Sequence, residues 1–204
     1  MPNIFNIFRS KSVADTTPQT RSTGLISQAL DYGVSVSNDS ALKNTTLYAG
    51  IRLISENIAS LPKSIVEYDR AGNAKKRPDH RIYRLINGSP NPYTNSFTFW
   101  SCIVTWLKGW GNAYALIIRR GGVPVELHQI HPSFVSVKIV NGKKWYKITI
   151  ADPNFAYLSG VYSDDDVLHF MELTLDGVKG VNPIVYNASV LNKSLAMEAF
   201  SSEF

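Results

Sequence analysis

His128 and His131 flank Gln129-Ile130, three aspartates stand in a row at Asp164–Asp166, and the single cysteine, Cys102, lies in an apolar stretch. Imidazoles and carboxylates are the raw material of a metal centre or of acid–base catalysis. The spacing argues against both. The run around His128 alternates like a strand, and side chains three apart on a strand leave opposite faces, so the two histidines cannot converge on one ion. Consecutive aspartates also point apart, and the loop lacks the spaced Asp/Asn pattern with a central glycine of a calcium loop. A solvated turn with one capping aspartate is expected there. Cys102 has no basic neighbour to lower its pKa and reads as a packing residue. His169, between Leu168 and Phe170, reads as a hydrogen-bonded, partly buried side chain. The glycines form no phosphate cradle followed by Lys and Ser/Thr. No catalytic residue, metal site or cofactor is expected, and the enzyme class falls away.

The chemistry that remains is charge and apolar contact. The chain has 204 residues and a formal net charge of +5, mildly basic. Lys75-Lys76-Arg77, Arg119-Arg120 and Lys143-Lys144 stand at or beside turns; solvated loops are the default reading, and a rim making non-specific phosphate contacts to DNA is the sharper one. Trp100, Trp106 and Trp110 lie in one apolar run, two expected in the core and Trp110 at an interface. Ile4, Phe5, Ile7 and Phe8 make a short apolar knot that docks on a neighbouring subunit or folds back on its own chain. One cysteine excludes an internal disulfide and fits a reducing compartment. The start has no secretory-signal pattern, and no run approaches the roughly 20 apolar residues of a membrane span.

These residues need elements to hold them. Residues 1–39, rich in Ser, Thr, Asn and Gln from Arg9 onward, read as a flexible arm; 40–204 read as one domain. Leu47, Ile51, Ile54, Ile58 and Leu61 recur at steps of four and three and predict one apolar helix face, with Asn44 as cap and Pro62 as stop. A strand from Ser64 to Asp69 enters an Ala71-Gly-Asn73 turn. Asp79 is expected to cap a short helix carrying Ile82, Tyr83, Leu85 and Ile86, which the turn-forming run Asn87-Gly-Ser-Pro-Asn-Pro92 ends. Asn95 or Ser96 caps a largely apolar helix running to about Lys108, with Gly109 and Gly111 terminating it. The period then changes to two. Ala113–Arg119, Val125–Ile130, Phe134–Val140, Trp145–Ile150 and Val167–Met171 read as strands, with Gly121-Gly122 and Asn141-Gly142 as hairpin turns. A helix from Pro183 is expected to run to the chain end, where the absence of a cap hints at truncation. Helices, a central antiparallel sheet and a final helix make an α+β fold.

Six short segments, taken in order, resemble the portal proteins of long-tailed phages of the HK97 type. They are Tyr48-Ala-Gly-Ile-Arg-Leu-Ile-Ser-Glu-Asn-Ile-Ala-Ser-Leu-Pro62, Ser89-Pro-Asn-Pro92, Gly109-Trp-Gly-Asn-Ala-Tyr114, Leu127-His-Gln-Ile-His-Pro132, Val167-Leu-His-Phe170 and Asp176-Gly-Val-Lys-Gly-Val-Asn-Pro183. One departure is Asn182, where that family usually has Ser; Asn makes the same local turn to the backbone. The resemblance covers about Ser40 to Phe204 and implies most of a portal wing, without the channel stem, clip and crown. It further implies a dodecameric ring at one capsid vertex through which DNA is packaged and ejected. The implied partners are other copies of the chain, the major capsid protein, the terminase large subunit, a head–tail adaptor and the double-stranded DNA in the channel, with no membrane. The implied location is the virion, reached after assembly in the host cytoplasm. A different class of reading is a naturally short, portal-derived module that binds a phage or host protein.

Overall fold

In the computed structural model, residues 37–188 and 190–191 are described. The knot of Ile4, Phe5 and Phe8, nearly all of the arm, and the expected run of the last helix to the chain end lie outside them. After α1 (Asn38–Ala41) comes the first long helix, α2 (Thr45–Ser60), whose N-cap is Asn44 as its sequence predicts. The Asn44 side chain accepts from the Leu47 amide at 2.9 Å and so satisfies one of the otherwise orphaned first-turn donors.

The face that α2 buries differs from the expected one. Ile51, Ser55 and Ala59 are buried, while Leu53, Ile54, Ile58 and Leu61 are exposed. The neighbouring helix α4 (Ser96–Trp110) carries large side chains, and helices approach closely where one of them offers small residues. Ser55 and Ala59 supply that close approach, which turns the heavier stripe outward.

Between the two helices lie the hairpin β1 (Val66–Tyr68) and β2 (Ala74–Lys76), exposed throughout, and α3 (Tyr83–Asn87). Asp79 does not cap α3. Its carboxylate lies 2.9 Å from the Arg77 Nη2, and the helix starts after Ile82 with no side-chain cap. An ion pair with an arginine two residues away has outcompeted the cap. Asn95 does cap α4, accepting from Thr98 N at 2.8 Å. That helix runs through Gly109 to Trp110 and stops only at Gly111, in the left-handed region at φ 72°.

The expected single sheet is two three-stranded antiparallel sheets. One has the order β4-β3-β8, from β3 (Asn112–Arg120), β4 (Val123–Ile130) and β8 (Val167–Met171). The other has the order β5-β6-β7, from β5 (Val135–Val140), β6 (Lys143–Ile148) and β7 (Gly160–Ser163). Both expected hairpin turns form, and Asn141 and Gly142 each take positive φ, as a two-residue turn of primed type requires. β7, four residues long and opening on glycine, has too little alternation to be found from sequence.

Period-two alternation along β3 serves two cores. Tyr114 and Leu116 face the second sheet and pack with Ile130, Val137, Tyr146, Ile148, Leu158 and Val167. Ala113 and Ala115 face α3 and α4 and pack with Leu85, Phe99, Ile103 and Leu127. The layers therefore run α2, then α3 and α4, then two sheets. The last element named among the described residues is α5 (Pro183–Tyr186), capped by Asn182, whose side-chain oxygen accepts from Ile184 N at 3.0 Å and Val185 N at 3.2 Å.

Candidate functional site: polar clasps and exposed apolar faces

Five of the six signature segments meet at two joints, three at the first and two at the second. Asn112, where α4 gives way to β3, is buried and binds in four directions. Its amide nitrogen donates to Gly180 O at 2.8 Å and Trp110 O at 3.2 Å, and its oxygen accepts from Gly180 N at 2.8 Å and His169 Nε2 at 3.0 Å. With Nε2 donating, His169 Nδ1 is left to accept from the Tyr146 hydroxyl, 3.4 Å away. The ring also stacks on Tyr114, centroids 4.4 Å apart. Burial first, and then Lys144 and Lys179, push the His169 pKa down to about 4, so the imidazole is neutral and acts as a clasp.

Backbone meets backbone at the same place. Glu172 N donates to Gly111 O at 3.0 Å, and a methyl group on Gly111 would lie 1.9 Å from Val181 O. Only glycine fits there. Lys108 and Glu172 make an ion pair across the joint.

A second clasp joins Ser89–Pro92 to Leu127–Pro132. Asn91 is buried; it donates to Leu127 O at 2.9 Å and accepts from Thr94 N at 2.9 Å, while Leu127 N donates to Pro90 O at 2.8 Å. His128, 1% exposed, lies 2.7 Å from Glu126 Oε2 through Nε2 and 2.7 Å from the Tyr93 hydroxyl through Nδ1. Burial above all raises the Tyr93 phenol well beyond its ordinary range, which leaves it a hydrogen-bond donor and removes it as a nucleophile. His131 sits apart, edge-on to Trp106 and Trp110 at 5.2 and 4.7 Å, so the two histidines share no ligand position. Among the described residues no group of three or more His, Cys, Asp or Glu could hold a metal ion. Cys102 is half-buried with its thiol pKa raised by burial.

Lys75, Lys76, Arg120 and Lys143 are exposed, whereas the other cations of the three basic groups have protein partners. Arg77 pairs with Asp79 and Glu67, and both raise its pKa. Arg119 pairs with Asp166 at 3.2 Å and donates to Asp165 O at 2.8 Å, and Lys144 donates to Gly177 O at 3.1 Å. Register puts the tips at 121–122 and 141–142 at one end of the two sheets, since Leu116 pairs with Val167 and Trp145 with Ser163. The Asp164–Asp166 turn joins those strands at that same end, so acid is interleaved with base. Trp110 is half-buried, its ring against His131.

Among the described residues, sequence reasoning did not single out the exposed apolar surface. On α2 it comprises Tyr48, Leu53, Ile54 and Ile58, with Leu61 at the C-cap; after β8 it comprises Leu173, Leu175, Val185, Tyr186 and Val190. The signal was present as a helix with more apolar residues than one face can bury. Among the described residues no helix is long and apolar enough to cross a membrane.

Known proteins resemble this chain in sequence and in fold. The chain is 29% identical over 172 residues to the portal protein of Enterobacteria phage HK97, across 83% of this chain and 39% of the phage protein. It is 28% identical over 142 residues to Protein BeeE of Escherichia coli (strain K12), across 68% of this chain and 89% of that protein. A chain in the neck of an empty GTA particle has the same fold, with a TM-score of 0.67 and 19% identity, over 88% of this chain and 50% of that one. The chain thus spans about two fifths of the HK97 portal protein and half of the neck chain. The family model for phage portal protein matches residues 45–204, which takes in every signature segment, and the chain belongs to that family.

Proposed function

We propose that the protein is the wing portion of a portal ring subunit, working by mechanical support and by contact with copies of itself. The observation that carries this reading is the pair of exposed apolar surfaces, on α2 and on the segment from Leu173 to Val190, set on a unit whose own two cores are filled. A closed ring needs a head-to-tail interface, in which two different patches meet, and exposed apolar surface beyond single scattered residues marks a contact site. The buried polar groups described above are satisfied within the fold and fix its shape, which suits a structural part.

In this reading the ring sits at one vertex of the virion after assembly in the host cytoplasm. It meets the major capsid protein, receives the terminase large subunit during packaging and a head–tail adaptor afterwards, and passes double-stranded DNA. Twelve copies are the number the resemblance implies. For DNA, the three basic groups offer the exposed Lys75, Lys76, Arg120 and Lys143, which suffice for weak, salt-sensitive phosphate contact.

Sedimentation velocity and electron micrographs of the purified chain test the proposal. Self-associated species, with rings as the largest, are expected; Leu53→Glu with Ile58→Glu is expected to abolish them while leaving the circular dichroism spectrum unchanged. A chain that is monomeric at every concentration would count against it and support the short binding module instead.

A further inference from the structure

A second apolar feature is concave. A pocket of about 300 Å³ opens beside α4, lined by Cys102 and Trp106 from that helix, Ile130 and His131 at the end of β4, and Phe134 and Phe155 from the following loops. This is the small end of the range for ligand sites, about 300–1,000 Å³. Aromatic and aliphatic groups dominate the wall, and the one carboxylate on it is the exposed Asp152.

The sequence holds a segment of matching chemistry. Ile4, Phe5, Ile7 and Phe8 supply four large apolar side chains within five residues, and Arg9 and Lys11 follow at once. Two of those side chains would fill the aromatic walls, and the basic pair would then stand by Asp152. Reach is no obstacle. The described chain starts at Ser37, and the residues from 9 to 36 can span up to about 90 Å when extended.

We propose that Ile4–Phe8 of the same chain seats in the pocket beside Trp106, with Arg9 at Asp152. The reading is independent of ring formation. A partner's side chain or no occupant at all are the competing outcomes.

Cys102 reports on the pocket directly, because it lies on the wall and is the only cysteine of the chain. The rate of its alkylation by N-ethylmaleimide is measured by mass spectrometry on the full chain and on Phe5→Ser with Phe8→Ser. Both substitutions lie outside the described fold, and matching circular dichroism spectra establish that the fold is kept. The variant is expected to react about tenfold faster, and a synthetic peptide of residues 1–11 to slow it again. Protection in the unsubstituted chain is expected to be the same at every protein concentration. Equal rates for the two chains, whether fast or slow, would overturn the proposal. So would protection that grows with concentration, which would mean that the segment comes from another copy.

Discussion

The strand β3 and the helix α2 carry equally regular apolar patterns and meet opposite fates. Every residue of β3 from Asn112 to Leu116 is buried, because a helical layer covers one face of its sheet and a second sheet covers the other. α2 buries only Ile51, Ser55 and Ala59 and leaves the heavier aliphatic residues Leu53, Ile54 and Ile58, with its C-cap Leu61, in solvent. Periodicity therefore says which faces require cover. It does not say whether the chain covers them itself, and where it does not, the difference points to a surface built for something else.

The contrast is sharpest in side-chain deletions. Phe99, with no exposed surface between α4 and β3, is expected to cost about 4 kcal/mol when cut to alanine, read as a shift of the urea midpoint. Asn112→Leu keeps the volume of the joint and leaves both polar groups of Gly180 and the His169 Nε2 without a partner. A loss of about 2 to 3 kcal/mol is expected.

Acid probes the covered region a third way. The His169 pKa falls from 6.5 in the unfolded chain to about 4 in the fold, so the folded state favours the neutral ring. Its contribution is complete above about pH 6.5 and is lost as the pH falls toward 4. The loss is on the order of 1 to 2 kcal/mol once the partial exposure of the ring is allowed for. Urea midpoints at pH 7 and pH 4 measure it, and His169→Gln is expected to flatten that slope. At the other extreme, Leu53→Ser and Ile58→Ser are each expected to change monomer stability by less than about 0.5 kcal/mol. A loss of 2 kcal/mol at either site in the isolated monomer would erase the contrast, since it would mean that α2 is covered after all.

How far the sequence went follows the same line. Caps and turns were legible wherever the signal is local: Asn44 and Asn95 bond to amides three residues ahead, and Asn141-Gly142 makes its turn from its own two residues. Asp79 misled because an arginine two residues away competes for the same carboxylate. The buried face of α2 was illegible because Ser55 and Ala59 are selected there for smallness, which a search for large apolar residues passes over. The polar clasps were hidden for a different reason. Asn112 and Gly180, or Asn91 and Leu127, lie far apart in the chain, and only their membership of recurring signature segments marked them.

At Gly111 and Gly180 the main chain of one segment rests directly on that of the other, with no side chain between them to yield. Such a contact is stiff. A push on α5 passes into α4 and the central strand with little damping, so the end of the described chain and its innermost layer must move as one body.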